Sequence, residues 1–112
     1  MKLSELSALL PLNVLQGQGN MDVVISGGYT SDLLSDVMAN GKEKNVWITC
    51  QTHQNIIAVA KLKDLAAIIL VKGRRPDETT FGKAREENVV ILGTTESAFG
   101  ITGILFDLLK KG

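Results

Sequence analysis

A chain of 112 residues is long enough for one core and too short for two ordinary domains, so a single domain over residues 1–112 is expected. Its 12 basic and 12 acidic side chains cancel, which leaves no field to draw in nucleic acid or anionic lipid, and neither is expected as a partner. The lone cysteine, Cys50, excludes an intramolecular disulfide and leaves a zinc site short of ligands; no metal, no cofactor and a reduced, cytoplasmic setting are expected.

In chain order, Lys2–Leu10 reads as a first helix with Leu3, Leu6, Leu9 and Leu10 on one side, and Pro11 ends it. Glu5 interrupts the apolar residues where a signal-peptide core would lie. No apolar run approaches the ~20 residues that span a bilayer. Asn13–Gln16 is a short extended piece, and Gln16-Gly17-Gln18-Gly19-Asn20 supplies turn residues. Met21–Ser26 reads as the next strand, stopped by Gly27-Gly28.

The remainder alternates regularly. Ser31 or Asp32 can cap a helix carrying Leu33, Leu34, Val37 and Met38, ended by Asn40-Gly41. Val46–Thr49 is a strand, and a helix follows from about Gln54 to Lys63. Ala66–Val71 is the clearest strand, apolar on both faces as a central parallel strand must be. Asp77 then caps a largely polar helix reaching Glu87, Val89–Leu92 is the last strand, and Thr94 or Thr95 caps a final helix to about Lys110. This β-α-β-α-β-α order predicts an α/β fold with a mainly parallel sheet and helices packed on both faces.

In such a sheet, ligands bind beyond the carboxyl ends of the strands. Four polar loops are predicted there: Ser26 to Asp32, Thr49 to Gln54, Gly73-Arg74-Arg75, and Gly93 to Glu96. The candidate ligand-binding residues are Ser26, Gly27, Gly28, Thr49, Gln51, Thr52, His53, Arg74, Thr94 and Thr95. Gly27-Gly28 suits either an anion-binding turn or a plain strand-to-helix turn, and it is neither a Gly-x-Gly-x-x-Gly fingerprint nor a P-loop. Arg74 and Arg75 can clamp a phosphate or carboxylate bidentately, or stand as solvated loop charges. Cys50 and His53 could act as nucleophile and base only in hydrogen-bond contact; the plainer reading has Cys50 ending a strand and His53 opening a helix. No catalytic residue is assigned.

The final helix is unusually apolar. At 100° per residue, Ala98, Phe99, Ile101, Ile104, Leu105, Phe106, Leu108 and Leu109 cover an arc of roughly 220°, against the ~100° that faces one core. Either the helix lies in a groove of its own domain, or Phe99, Phe106 and Leu109 face a partner. A homodimer is expected on this ground.

One family is similar. Ser26-Gly27-Gly28-Tyr29-Thr30-Ser31-Asp32-Leu33-Leu34-Ser35-Asp36-Val37-Met38-Ala39, then Trp47-Ile48-Thr49-Cys50-Gln51-Thr52-His53, then Ala66-Ala67-Ile68-Ile69-Leu70 ahead of Gly73-Arg74, resembles a DRTGG domain over nearly the whole chain. Ser26-Gly27-Gly28 stands for the family's Thr-Gly-Gly, while the upstream Asp-Arg is not kept and Asp22 lies nearby. The resemblance implies an α/β fold similar to the N-terminal domain of HPr kinase/phosphorylase. It also implies a regulatory module, such as those that accompany CBS pairs in some pyrophosphatases, and it brings no catalytic residues. The expected function is therefore non-catalytic ligand sensing, with a nucleotide or other small anion as ligand. The alternative is a protein–protein adaptor that uses the apolar final helix and takes no small molecule.

Overall fold

The computed structural model describes residues 1–111. Its centre is the stretch Ala67–Leu70, apolar at every position and buried at every position. A strand with no polar face needs cover on both sides and neighbours on both edges. It finds them in a five-stranded sheet of order β1-β5-β4-β3-β2, formed by β1 (Asn13–Gln16), β2 (Gly27–Thr30), β3 (Asn45–Thr49), β4 (Ala67–Leu70) and β5 (Ile91–Gly93). Strands β2 to β5 are parallel, and β1 runs antiparallel along β5 with Asn13 opposite Gly93.

The period-2 alternation of β3 and β4 divides the core into two layers. Val46, Ile48, Ala67 and Ile69 point to one face, where Leu3, Leu6, Ile101 and Leu105 of α1 (Leu3–Leu9) and α5 (Ala98–Lys111) cover them. Trp47, Ile68 and Leu70 point to the other, under Val37, Ile56, Ile57, Ala60 and Ala84 of α2 (Leu34–Asn40), α3 (Asn55–Leu62) and α4 (Glu78–Glu87). Fully burying side chains of this kind contributes about 1.5–3 kcal/mol each. The result is an α/β/α sandwich, mainly parallel, with helices on both faces as expected.

Three local expectations are corrected. Met21–Ser26 is not a strand; the strand is Gly27–Thr30. The Met21–Ile25 segment instead closes the start of α1, with the N–H groups of Leu3 and Ser4 donating to the carbonyls of Val23 and Met21 (2.8 and 3.0 Å) and only a lone bridge between Lys2 and Val24. Gly27-Gly28 therefore lies within β2, not in a turn after it. The absence of a side chain at Gly28 lets α5 lie close: a Cβ there would sit 3.0 Å from Leu105 Cδ2.

Neither Ser31 nor Asp32 caps α2, whose N-cap position is Leu33, with no side-chain cap. Ser31 Oγ accepts the Leu33 N–H at 3.1 Å, and the Asp32 carboxylate turns towards β3. At α5, Ser97 rather than Thr94 or Thr95 satisfies the first turn, its Oγ accepting the Gly100 N–H at 3.0 Å.

Candidate functional site

The parallel strands end together at Thr30, Thr49, Leu70 and Gly93, and the antiparallel β1 enters at the same edge through Asn13. Loops leaving this edge form the rim.

At the β2–β3 end the rim is tied by Asp32. Its carboxylate accepts the Thr49 hydroxyl at 2.9 Å and the Cys50 backbone N–H at 2.8 Å. Gln51 Nε2 donates to the Asp32 carbonyl at 2.9 Å, and Trp47 Nε1 donates to the Ser31 carbonyl at 2.8 Å. The Cys50 N–H, helped by the Thr49 hydroxyl and the charge of Arg74, holds the Asp32 carboxyl below its ordinary value. Thr49 and Gln51 thus fasten two loops together.

In the next loop, the Thr52 carbonyl accepts the buried Thr80 hydroxyl at 2.7 Å and the Asp77 N–H at 3.4 Å. His53 Nδ1 stands 3.2 Å from Asp77 Oδ2. These contacts pin the loop to the start of α4. The imidazole pairs with Asp77, and no hydrogen bond joins it to Cys50 among the described residues. Burial, then the neighbouring Asp32 carboxylate, pushes the Cys50 thiol up, opposite to what a nucleophilic thiolate needs.

The third part is a cleft. After β4 the chain turns through Lys72 and Gly73, both at positive φ (57° and 68°), and the Arg74 N–H closes the turn on the Val71 carbonyl at 3.1 Å. Two positive central φ values define a tight turn of the I′ kind, for which glycine is suited. The N–H groups of Lys72 and Gly73 donate to the carbonyls of Glu96 and Thr94, each at 2.8 Å, which fastens this turn to the loop after β5. The cleft of about 100 Å³ between them is lined by Asn13, Leu15, Gly73, Arg74, Arg75, Gly93, Thr94 and Thr95. Among the described residues no carboxylate lines it. Thr94 is 2% exposed, and its Oγ1 accepts the Glu96 N–H at 3.1 Å. The Arg75 guanidinium also lies 5.7 Å from the Phe81 ring centre.

The sequence-predicted residues thus divide. Arg74, Thr94 and Thr95 meet in one cleft, whereas Thr49, Gln51, Thr52 and His53 lie on the same edge in fastening roles. Ser26, Gly27 and Gly28 fall at the opposite, amino end of the sheet, with Gly27 paired to Asn45 at the start of β3. There Ser26 Oγ donates to the Glu43 carbonyl at 2.6 Å and accepts Asn45 Nδ2 at 3.0 Å. Their placement on the ligand rim is corrected: glycines that serve close packing look the same in sequence as glycines that serve a turn. Sequence reasoning missed Asn13 and Leu15 as cleft residues, because nothing in their local pattern shows that β1 runs antiparallel beside β5.

A second surface lies along α5. Phe99 is 92% and Phe106 66% exposed, while Leu109 is half-buried. A groove between α5 and the edge strand β2 passes over Thr30, Thr102 and Phe106, and the hydroxyls of Thr30 and Thr102 meet at 2.8 Å. No helix among the described residues is long and apolar enough to cross a membrane. Among the described residues no group of three or more His, Cys, Asp or Glu is placed to hold a metal.

Fold and rim define the class: an α/β/α sandwich with a polar, carboxylate-free cleft at the carboxyl edge of its sheet. No family model matches the chain, and no curated protein does. Its fold is similar to a crystal structure of the CBS and DRTGG domains of the regulatory region of Clostridium perfringens pyrophosphatase, complexed with the activator diadenosine tetraphosphate. The TM-score is 0.70 at 13% identity, over 92% of this chain and 44% of that one. The chain thus spans less than half the length of that structure, and at such identity the likeness concerns the fold.

Proposed function

We propose that the chain is a regulatory domain of the DRTGG kind, without catalytic activity of its own, that senses a small anionic ligand at the carboxyl edge of its sheet and works as a homodimer. The observation that carries this reading is the cleft in which Arg74, Arg75, Thr94 and Thr95 converge with no carboxylate among them. Guanidinium and hydroxyl donors favour an anion, and the Asp32 carboxylate, which feels the charge of Arg74, is not part of the lining. The fold supports the reading, since a similar fold belongs to a pyrophosphatase regulatory region solved with a nucleotide activator. The pairing of His53 with Asp77 and the raised Cys50 thiol support a non-catalytic role.

Thermal unfolding against a panel of nucleotides and phosphorylated metabolites tests the ligand part. A ligand at 100 times its dissociation constant stabilises by about 2.7 kcal/mol, an upward shift of roughly 10 °C or more for a domain of this size. No shift across the panel removes the ligand-sensing reading.

A second reading has its own observation. The exposure of Phe99 and Phe106 on one helix favours an adaptor that binds another protein through α5 and takes no small molecule. Light scattering separates the two: a monomer at high concentration removes the homodimer and favours a different partner.

A further inference from the structure

We propose that the Arg74–Thr94 cleft is a site for a single tetrahedral oxyanion, so that it reads one phosphate group of a ligand and makes no contact with a nucleoside. This rests on the ligand-sensing reading above and narrows it.

Size decides first. The cleft measures about 100 Å³, whereas sites that enclose a drug-sized molecule measure roughly 300–1,000 Å³. The cleft suits a phosphate and is too small to enclose a base with its sugar.

The donors match in kind. Arg74 and Arg75 make no ion pair among the described residues, and each guanidinium can offer two parallel N–H bonds to neighbouring oxygens of an oxyanion. Thr94 adds a hydroxyl. It is almost wholly buried and lines the cleft; its oxygen accepts the Glu96 N–H, which leaves its rotatable O–H able to donate. Thr95 and the Asn13 amide add further donors on either side. Every ionised side chain in the lining is positive, so charge as well as size selects the ligand.

The test titrates the full chain with inorganic phosphate, adenosine monophosphate and adenosine by calorimetry, alongside the surface variant carrying Arg74→Gln and Arg75→Gln. Phosphate and adenosine monophosphate are expected to bind within a few-fold of one another, adenosine not at all, and the variant to weaken both by on the order of tenfold or more. Thr94→Ser, which keeps the hydroxyl, is expected to bind phosphate like wild type. Adenosine monophosphate binding without phosphate binding overturns the oxyanion proposal and leaves ligand sensing standing. Phosphate binding that survives the double variant overturns the site. No binding by any of the three overturns the oxyanion proposal, and ligand sensing then stands or falls on the wider thermal panel.

Discussion

The Asp32 carboxylate accepts the Cys50 backbone N–H at 2.8 Å, and this bond joins the loop that leaves β2 to the end of β3. The same carboxylate also takes the Thr49 hydroxyl. Asp32→Ala is expected to cost about 1–2 kcal/mol at neutral pH, at the low end because the side chain is exposed. The folded-state carboxyl sits below its ordinary value, so its stabilisation is present above about pH 4 and is lost as pH falls through the folded value. Urea unfolding of wild type and variant should therefore show a gap at pH 7 that narrows towards pH 2. An unchanged gap contradicts the assignment.

Cys50 offers a chemical readout of the same contact. Burial and Asp32 both disfavour its thiolate, so alkylation by iodoacetamide at pH 7.5 should run slower than for an open thiol with a pKa of about 8.5. Removing the charge with Asp32→Asn should speed it. A wild-type rate above that of the open thiol revives the nucleophile that the His53–Asp77 pairing argues against.

Two glycines separate backbone strain from crowding. Gly73 has φ 68° with nothing within 4 Å of a Cβ, so Gly73→Ala carries only the left-handed cost of roughly 1–2 kcal/mol. Gly17 has φ 96° and would also place its Cβ 2.9 Å from Val90 Cγ2 and 3.0 Å from Val90 Cα. Gly17→Ala is expected to cost about 2–4 kcal/mol, measured by urea unfolding. Equal costs contradict this account of the β1–β5 pairing.

On α5, Phe99→Ser and Phe106→Ser together remove exposed apolar surface and touch little of the core. The variant should keep its unfolding midpoint at low concentration and lose self-association in analytical ultracentrifugation. Association that persists places the interface elsewhere.

Much of this was legible in the sequence. Ala66–Val71 could hardly be other than a doubly covered strand, and the alternation after it makes parallel order almost unavoidable. Arg74 and Thr94 could be placed because each lies within a few residues of the end of such a strand. The Gly27-Gly28 pair misled, since the need for a glycine at Gly28 depends on Leu105, which is far away in sequence. Asp32 misled for a similar reason: next to a helix start an aspartate reads as a cap, yet Thr49 and Cys50 bind it instead. Asn13 was hidden because a four-residue strand carries no mark of its neighbour or direction.

The central claim, an anion site at the carboxyl edge of the sheet, is tested most directly by mapping amide chemical shifts during a phosphate titration. The largest changes are expected at Gly73, Arg74, Arg75, Thr94 and Thr95, with Ser26, Gly27 and Gly28 unmoved at the opposite edge. Largest changes at Ser26 to Gly28, or no change at all, contradict it.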